Sequence, residues 1–229
     1  MGYIGGGKGR CKQRKAEEMQ EKDNLFDAVA IPTELCGARV LQSALDRSLQ
    51  ARIVAQLRDI VVKAPLHRPV TRWGKPMSVK MTAAGKFGWI SDTRGYRYAE
   101  THPSGVHWPD IPKEILSIWK LFVPEARDPE CCLINLYEPN ARMGLHQDRD
   151  EADFSQPVLS ISLGDEGLFR IGGPERSNKT RSIWLRSGDI VILEGASRLA
   201  FHGVDRIKPG TSDLLDKPGR INLTLRVVT

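Results

Sequence analysis

Two spacings of apolar residues divide this chain. Between Ser48 and Val62 the apolar positions Leu49, Ile53, Val54, Leu57, Ile60 and Val61 recur at helical intervals, which predicts an amphipathic helix stopped by Pro65. A second helix is predicted after Asp110 and Pro112, with Ile115, Leu116, Trp119 and Phe122 on one face and Pro124 ending it. From Cys131 onward the period shortens to two. Cys132–Tyr137, Pro157–Leu163, Leu168–Ile171, Ile183–Leu185, Ile190–Leu193, Leu199–His202 and Arg220–Val228 read as short strands, with turns at Gly164, Gly172-Gly173, Ser187-Gly188-Asp189 and Gly195. Several short strands at such spacing argue for an antiparallel sandwich or jelly-roll barrel rather than a parallel sheet, which would need a helix between successive strands. The fold class is mainly β with flanking helices (α+β), the two helices backing a sheet.

Composition adds limits. The chain has 229 residues, 40% hydrophobic and 27% charged, enough for one globular domain and unlike a disordered, collagen-like or coiled-coil chain. Residues 1–22 are Gly-rich and then charged, with nothing to bury, and are expected to be a basic tail outside the fold; residues 23–229 are expected to form one domain. Cys11, Cys36, Cys131 and Cys132 include no C-x-x-C pair, which suits reduced thiols. No stretch reaches the ~18 apolar residues of a membrane span, and the N-terminus lacks the apolar core of a signal peptide. The expectation is a soluble, cytoplasmic, monomeric protein without a membrane partner.

The formal net charge is +6, but it is unevenly placed. Lys63–Tyr98 carries eight basic residues and one acidic, whereas Ala99–Thr229 carries sixteen and nineteen. In the basic stretch Arg68, Arg72, Lys75, Lys80, Lys86, Arg94 and Arg97 interleave with Trp73, Phe87, Trp89, Tyr96 and Tyr98. That is the composition of a phosphate-tracking groove with stacking platforms, or of a solvated lid whose aromatics belong partly to the core.

Candidate chemistry begins at His146-Gln147-Asp148. On an extended segment the imidazole and the carboxylate fall on the same face and can share a metal ion. Alone the pair is weak, and His202 alone reads more readily as a packed, hydrogen-bonded histidine than as a ligand. Together, two histidines and one carboxylate from separate strands form the facial set that leaves coordination positions open on ferrous iron, as oxygen activation requires. The last strand strengthens this reading. Arg220, Asn222, Thr224 and Arg226 alternate with Ile221, Leu223 and Leu225, so two arginines point where burial is unfavourable unless an anion meets them. A small dicarboxylate would satisfy that need.

These residues resemble a known family. The runs Ile134-Asn135-Leu136-Tyr137-Glu138-Pro139, Leu145-His146-Gln147-Asp148-Arg149-Asp150-Glu151, Val158–Gly164, Phe201-His202-Gly203 and Arg220–Arg226 resemble, in order and spacing, the AlkB family of iron(II)- and 2-oxoglutarate-dependent dioxygenases. Upstream the resemblance extends through Met77–Thr82, Gly88-Trp89 and Gly95–Tyr98, covering roughly 35–229 and most closely the bacterial subgroup. It implies a double-stranded β-helix with the barrel over 131–229 and a nucleotide-recognition lid over 63–100. It implies His146, Asp148 and His202 as iron ligands, and Asn135, Tyr137, Arg220, Asn222 and Arg226 as the 2-oxoglutarate site. It also implies Trp89, Tyr96 and Tyr98 as the substrate lid, with Trp89 stacking on an extruded base and Tyr96 near the phosphate backbone. Asp150 is implied as the reader of the base's exocyclic group and Arg176 as a substrate contact. Arg220 and Arg226 stand about 20 Å apart along an ideal strand, so one is expected to hold the distal carboxylate while the other reaches toward the iron and Asp148; which does which stays open.

The activity so implied is oxidative removal of N-linked methyl groups, as in 1-methyladenine or 3-methylcytosine, from single- or double-stranded DNA, with RNA a further candidate. Iron(II), 2-oxoglutarate and O2 are the implied cofactor and co-substrates, and formaldehyde, succinate and CO2 the products. The same chemistry on tRNA, mRNA or protein, and a catalytically silent nucleic-acid-binding module, are the alternatives. His102 and His107 are expected to be exposed loop residues without a metal role.

Overall fold

The first helix has the boundaries its sequence dictates. Asp46 caps it by accepting the Leu49 N–H at 2.8 Å, and α1 (Arg47–Lys63) buries Leu49, Ile53, Val54, Leu57 and Ile60 on one face before Pro65. The second, α2 (Lys113–Phe122), follows Pro112 and buries Ile115, Ile118, Trp119 and Phe122; Ile118, and not the expected Leu116, completes its apolar face. The computed structural model describes residues 32–229. The expected tail over 1–22 and the start of the expected domain at 23 lie outside the described residues.

The described residues form thirteen strands: β1 (Thr33–Leu35), β2 (Ala38–Leu41), β3 (Lys80–Gly85), β4 (Gly88–Asp92), β5 (Gly95–Ala99), β6 (Cys131–Tyr137), β7 (Met143–His146), β8 (Val158–Gly164), β9 (Glu166–Ile171), β10 (Arg181–Leu185), β11 (Ile190–Leu193), β12 (His202–Lys208) and β13 (Arg220–Arg226). They form a seven-stranded sheet in the order β1-β2-β11-β8-β13-β6-β3, a four-stranded sheet in the order β10-β9-β12-β7, and the separate hairpin β4-β5. Every pairing is antiparallel. This is the jelly-roll double-stranded β-helix with flanking helices.

Most expected strands appear within a residue or two of their boundaries. The exception is Leu199–His202. There the chain forms a 3-10 turn at Gly195–Ser197, in which the Glu194 carboxylate and the Ser197 hydroxyl cap each other's backbone, and the strand begins only at His202. Phe201 therefore does not point into the core opposite His202; it is partly exposed, with the Arg176 guanidinium 5.2 Å from its ring centre. Strands β1, β2 and β7 escaped the periodicity because they are short, the half-exposed hairpin β4-β5 because it buries neither face consistently, and β3 because it is buried on both faces and so does not alternate.

Core residues from both sheets, among them Val40, Val158, Phe169, Ile171, Leu185 and Val191, fill one end of the interior, and Met81, Leu133, Val204 and Ile207 another. Helix α1 covers the opposite side of the large sheet, where Val54, Leu57 and Val61 face Ile134, Leu136 and Ile221 across an apolar cleft. His102 departs from expectation: it is 5% exposed, accepts the Ser104 N–H at Nδ1 and donates from Nε2 to the Pro65 carbonyl at 2.9 Å. It ties its loop to the end of α1, whereas His107 is exposed. Among the described residues no helix is long and apolar enough to cross a membrane.

Candidate active site

Strands β7 and β12 pair with His146 opposite His202, and the register shifts immediately afterwards, between His202 and Val204. Gly203 occupies that shift, and a Cβ there would lie 2.5 Å from the Met143 carbonyl oxygen and 2.8 Å from that of Gly144; only glycine lets the strands approach so closely. Asp148, 4% exposed, lies two residues beyond β7. Its Oδ1 is 3.7 Å from His146 Nε2 and its Oδ2 is 3.7 Å from His202 Nε2. One ligand atom from each of the three side chains lies within 4.8 Å of the others.

The protonation of this cluster follows from its partners. His146 Nδ1 faces the Gly144 carbonyl and His202 Nδ1 the Ala200 carbonyl, each at 2.9 Å. A carbonyl only accepts, so each Nδ1 carries a proton, and it is the Nε2 of each ring that is turned toward Asp148. Burial, with His146 alongside, lowers the His202 pKa to about 4 against the pull of Asp148. Burial would raise the Asp148 carboxyl, but Arg226, His202 and His146 hold it well below the usual carboxylate range. Asp148 Oδ2 is buried without a hydrogen-bond donor.

A pH dependence follows. The unfolded chain protonates this histidine near its ordinary 6.5 and the folded one only near 4, so the stability carried by neutral His202 is intact above about 6.5 and is lost as the pH falls toward 4. Depression of Asp148 acts in the same direction. The metal-free protein should melt at a lower temperature at pH 5 than at pH 7, and a level melting temperature between those values would contradict the assignment.

Strand β13 is internal to the large sheet: Arg220, Asn222 and Thr224 lie opposite Tyr137, Asn135 and Leu133 of β6 on one side, and opposite Gly164, Ser162 and Ser160 of β8 on the other. This register places Arg220, Asn222, Thr224 and Arg226 on the inner face. They line a cavity of about 590 Å³ together with Asn135, Tyr137, His146, Asp148 and His202.

The two arginines live in different surroundings. Arg226 donates to Asp148 Oδ1 at 2.7 Å and to the Tyr98 hydroxyl at 3.0 Å, and lies 3.3 Å from Glu151 Oε1. Burial works against its charge, but Asp148, Tyr98 and Glu151 raise its pKa well above the ordinary value. Arg220, 1% exposed, donates only to the Ser162 hydroxyl at 2.6 Å and to the carbonyls of Leu185 and Asp165 at 3.1 and 3.2 Å. Its Nε has no partner. Burial pulls its pKa down to about 10 against the opposing pull of Tyr137 and Asp189, and no carboxylate among the described residues forms an ion pair with it. Asn135 Oδ1 is likewise buried and unpartnered.

At the mouth of the cavity stand Trp89 and Tyr96 of the β4-β5 hairpin, stacked with ring centres 5.4 Å apart, and Asp150 and Arg176. The Trp89 indole N–H donates to Asp150 at 2.8 Å, and Arg176 donates to the Leu145 carbonyl at 2.9 Å. Tyr98 does not line the cavity. Its hydroxyl turns inward to Glu151 at 2.5 Å and to Arg226, and burial raises its pKa.

A family model for the 2OG-Fe(II) oxygenase superfamily matches residues 37–226. The alpha-ketoglutarate-dependent dioxygenase AlkB homolog of Caulobacter vibrioides is 53% identical over 195 residues, 85% of this chain and 89% of that protein. This chain belongs to the AlkB family. The alpha-ketoglutarate-dependent dioxygenase AlkB of Escherichia coli is 35% identical, over 89% of this chain and 96% of its own length. Among solved structures, that of OsALKBH1 superposes with a TM-score of 0.76 at 32% identity, covering 86% of this chain and 99% of the other.

This AlkB-family enzyme is an iron(II)- and 2-oxoglutarate-dependent dioxygenase, and its cavity fits those partners on physical grounds. Two imidazole Nε2 atoms and a carboxylate oxygen lacking any donor, turned toward one another, suit a divalent cation. A buried guanidinium without an anion suits a carboxylate. Sequence reasoning missed two contributors. Arg198 donates to the Asp148 carbonyl at 2.6 Å and to Glu151 at 3.1 Å, bracing the segment that carries Asp148. Gly167 on β9 leaves room for Arg220, whose Nε would lie 2.8 Å from a Cβ there. Neither a lone arginine nor a glycine inside a strand carries a signal readable without the fold.

Proposed function

We propose that this dioxygenase removes N-linked methyl groups from damaged bases such as 1-methyladenine and 3-methylcytosine in DNA, with RNA a further substrate, acting as a cytoplasmic monomer. The observation that carries this reading is the mouth of the cavity: a stacked indole and phenol beside a carboxylate, set in the chain's most cationic segment and opening onto the His146–Asp148–His202 cluster. Flat π surfaces take an extruded base, and the Asp150 carboxylate favours the positive charge of N-methylated adenine or cytosine.

In this reading His146, Asp148 and His202 hold iron. Arg220 receives the distal carboxylate of 2-oxoglutarate, supported by its lack of any carboxylate partner, while Arg226 holds Asp148 in place. Asn135, Tyr137 and Asn222 flank the co-substrate from the same sheet face. When bound, iron and 2-oxoglutarate, together with O2, would supply the oxidising power: one oxygen atom turns N-methyl into N-hydroxymethyl, which leaves as formaldehyde, and the other enters succinate as the co-substrate loses CO2. The chain's residues orient the two substrates and keep the cavity shielded. Trp89, held by Asp150, presents its ring to the base, and Arg176 lies at the rim for the strand. The convergence of all three ligand-type side chains supports catalysis over a silent binding module.

The test is incubation of a 1-methyladenine oligonucleotide with the enzyme, ferrous iron and 2-oxoglutarate, followed by the strand's mass and the formaldehyde released. An unchanged mass with iron bound would refute the assignment. In the same assay Trp89→Ala should raise the oligonucleotide KM about tenfold or more, the size of a lost stacked base, and leave iron affinity unchanged.

A further inference from the structure

Trp73 is the most exposed aromatic side chain among the described residues, at 74%. It stands at the apex of a tight loop. The Thr71 N–H donates to the Lys75 carbonyl at 2.9 Å, the Gly74 N–H returns to the Thr71 carbonyl at 2.8 Å, and Val70 bridges Pro76. Gly74, at φ +77°, supplies the left-handed conformation that such a turn needs. An indole on a closed turn projects outward as a narrow blade, whereas Trp89 and Tyr96 form a platform on a hairpin.

Charge around this loop is distinctive. Between Arg68 and Arg97 every other cation has a carboxylate partner: Arg68 and Lys80 share Glu138, Lys86 meets Glu130, and Arg94 and Arg97 share Asp92. Arg72 and Lys75, on either side of Trp73, form no ion pair among the described residues, and the Arg72 guanidinium lies over the indole at 4.2 Å. The loop is also fastened to the active site. Val70 donates to the Ser91 carbonyl at 3.3 Å and accepts from the Ser91 hydroxyl at 2.5 Å. Ser91 lies on β4, the strand that carries Trp89, and at the loop's other end Met77 lines the cavity.

We infer that Trp73 is a wedge for duplex DNA: its ring enters the base stack at the step from which the methylated base is extruded, while Arg72 and Lys75 meet the phosphates on either side. This rests on the demethylase reading and adds to it how a paired base is reached. Extrusion from a duplex leaves an unstacked gap, and an apolar blade that fills it offsets part of that loss. A single strand has no such gap. The contribution of Trp73 is therefore confined to duplex substrates, and unpaired cations beside the blade anchor it to the backbone without reading sequence.

The experiment compares wild type, Trp73→Ala and Trp73→Phe on one 3-methylcytosine oligonucleotide, single-stranded and annealed, measuring kcat/KM and, by fluorescence anisotropy with metal-free protein, Kd. For Trp73→Ala the expected result is a loss of about ten- to a hundredfold in kcat/KM and a weaker Kd on the duplex, the range of a lost stacked base. On the single strand it should stay within about twofold, and Trp73→Phe should restore most of the duplex activity. Trp73 contacts no core, so the variants fold; melting curves check this. An equal loss on both substrates would make Trp73 a general stacking platform and overturn the wedge, as would no loss on either. Absence of demethylation by wild type on both substrates would refute the demethylase reading itself.

Discussion

His146→Ala is expected to reduce demethylation to background and lower iron affinity by at least about a hundredfold, the upper end of what outer partners of metal ligands contribute, while oligonucleotide binding stays close to wild type. His146 suits this test because its side chain is 40% exposed and carries no part of the core. Its removal leaves Asp148 still held by Arg226 at 2.7 Å and His202 still tethered to the Ala200 carbonyl. Asp148→Ala would be a poorer probe: it strips Arg226 of a close carboxylate inside the protein, and an uncompensated buried charge destabilises by about 3–5 kcal/mol. Iron titration, formaldehyde release and fluorescence anisotropy on one preparation separate the effects. Turnover within tenfold of wild type would remove His146 from the metal site.

Arg220→Met should raise the KM for 2-oxoglutarate by about a hundredfold or more. Truncating one partner of a buried charge-assisted pair costs about 2–5 kcal/mol, and about 2.8 kcal/mol is a hundredfold. At saturating co-substrate kcat should recover far more than kcat/KM, because the residue acts on binding and stands away from the metal cluster. A second readout is independent of turnover. In the metal-free protein Arg220 is a buried cation without a carboxylate, so methionine should leave the melting temperature unchanged or raise it. The stabilisation that 2-oxoglutarate confers on the iron-loaded protein should at the same time shrink. Arg226→Met should behave oppositely, because Asp148 and Glu151 lose their shared cation: the fold weakens and iron is lost with it. If both variants shifted the 2-oxoglutarate KM equally, the division of labour between the arginines would be wrong.

Much of this was legible in the chain. The period-two alternation of Arg220–Arg226 placed its arginines and Asn222 on one face because side-chain direction in a strand is a local property of the backbone. That face does line the cavity. The helix over Ser48–Val62 was equally readable, since its apolar stripe lies within it and the proline that ends it follows within three residues. Local pattern failed where hydrogen bonding outweighed hydrophobicity. At Leu199–His202 the Glu194–Ser197 capping turn displaced the strand expected from the apolar run, and in the β4-β5 hairpin neither face is dry enough to alternate.

The sequence by itself determined which residue types could form the site, their order and the face of β13 that carries the arginines. Tertiary structure alone decided how they are paired: that Arg226 meets Asp148 from 78 positions away, that Tyr98 turns its hydroxyl into that network, that Arg198 braces it from 50 positions beyond Asp148, and that Arg220 is left without an anion. The reason is physical. A side chain's direction is set by its own strand, but its neighbours are set by the register between strands distant in sequence, as when β13 aligns with β6 and β8. Such register follows from burial summed over a whole sheet face, and no short window of sequence contains it.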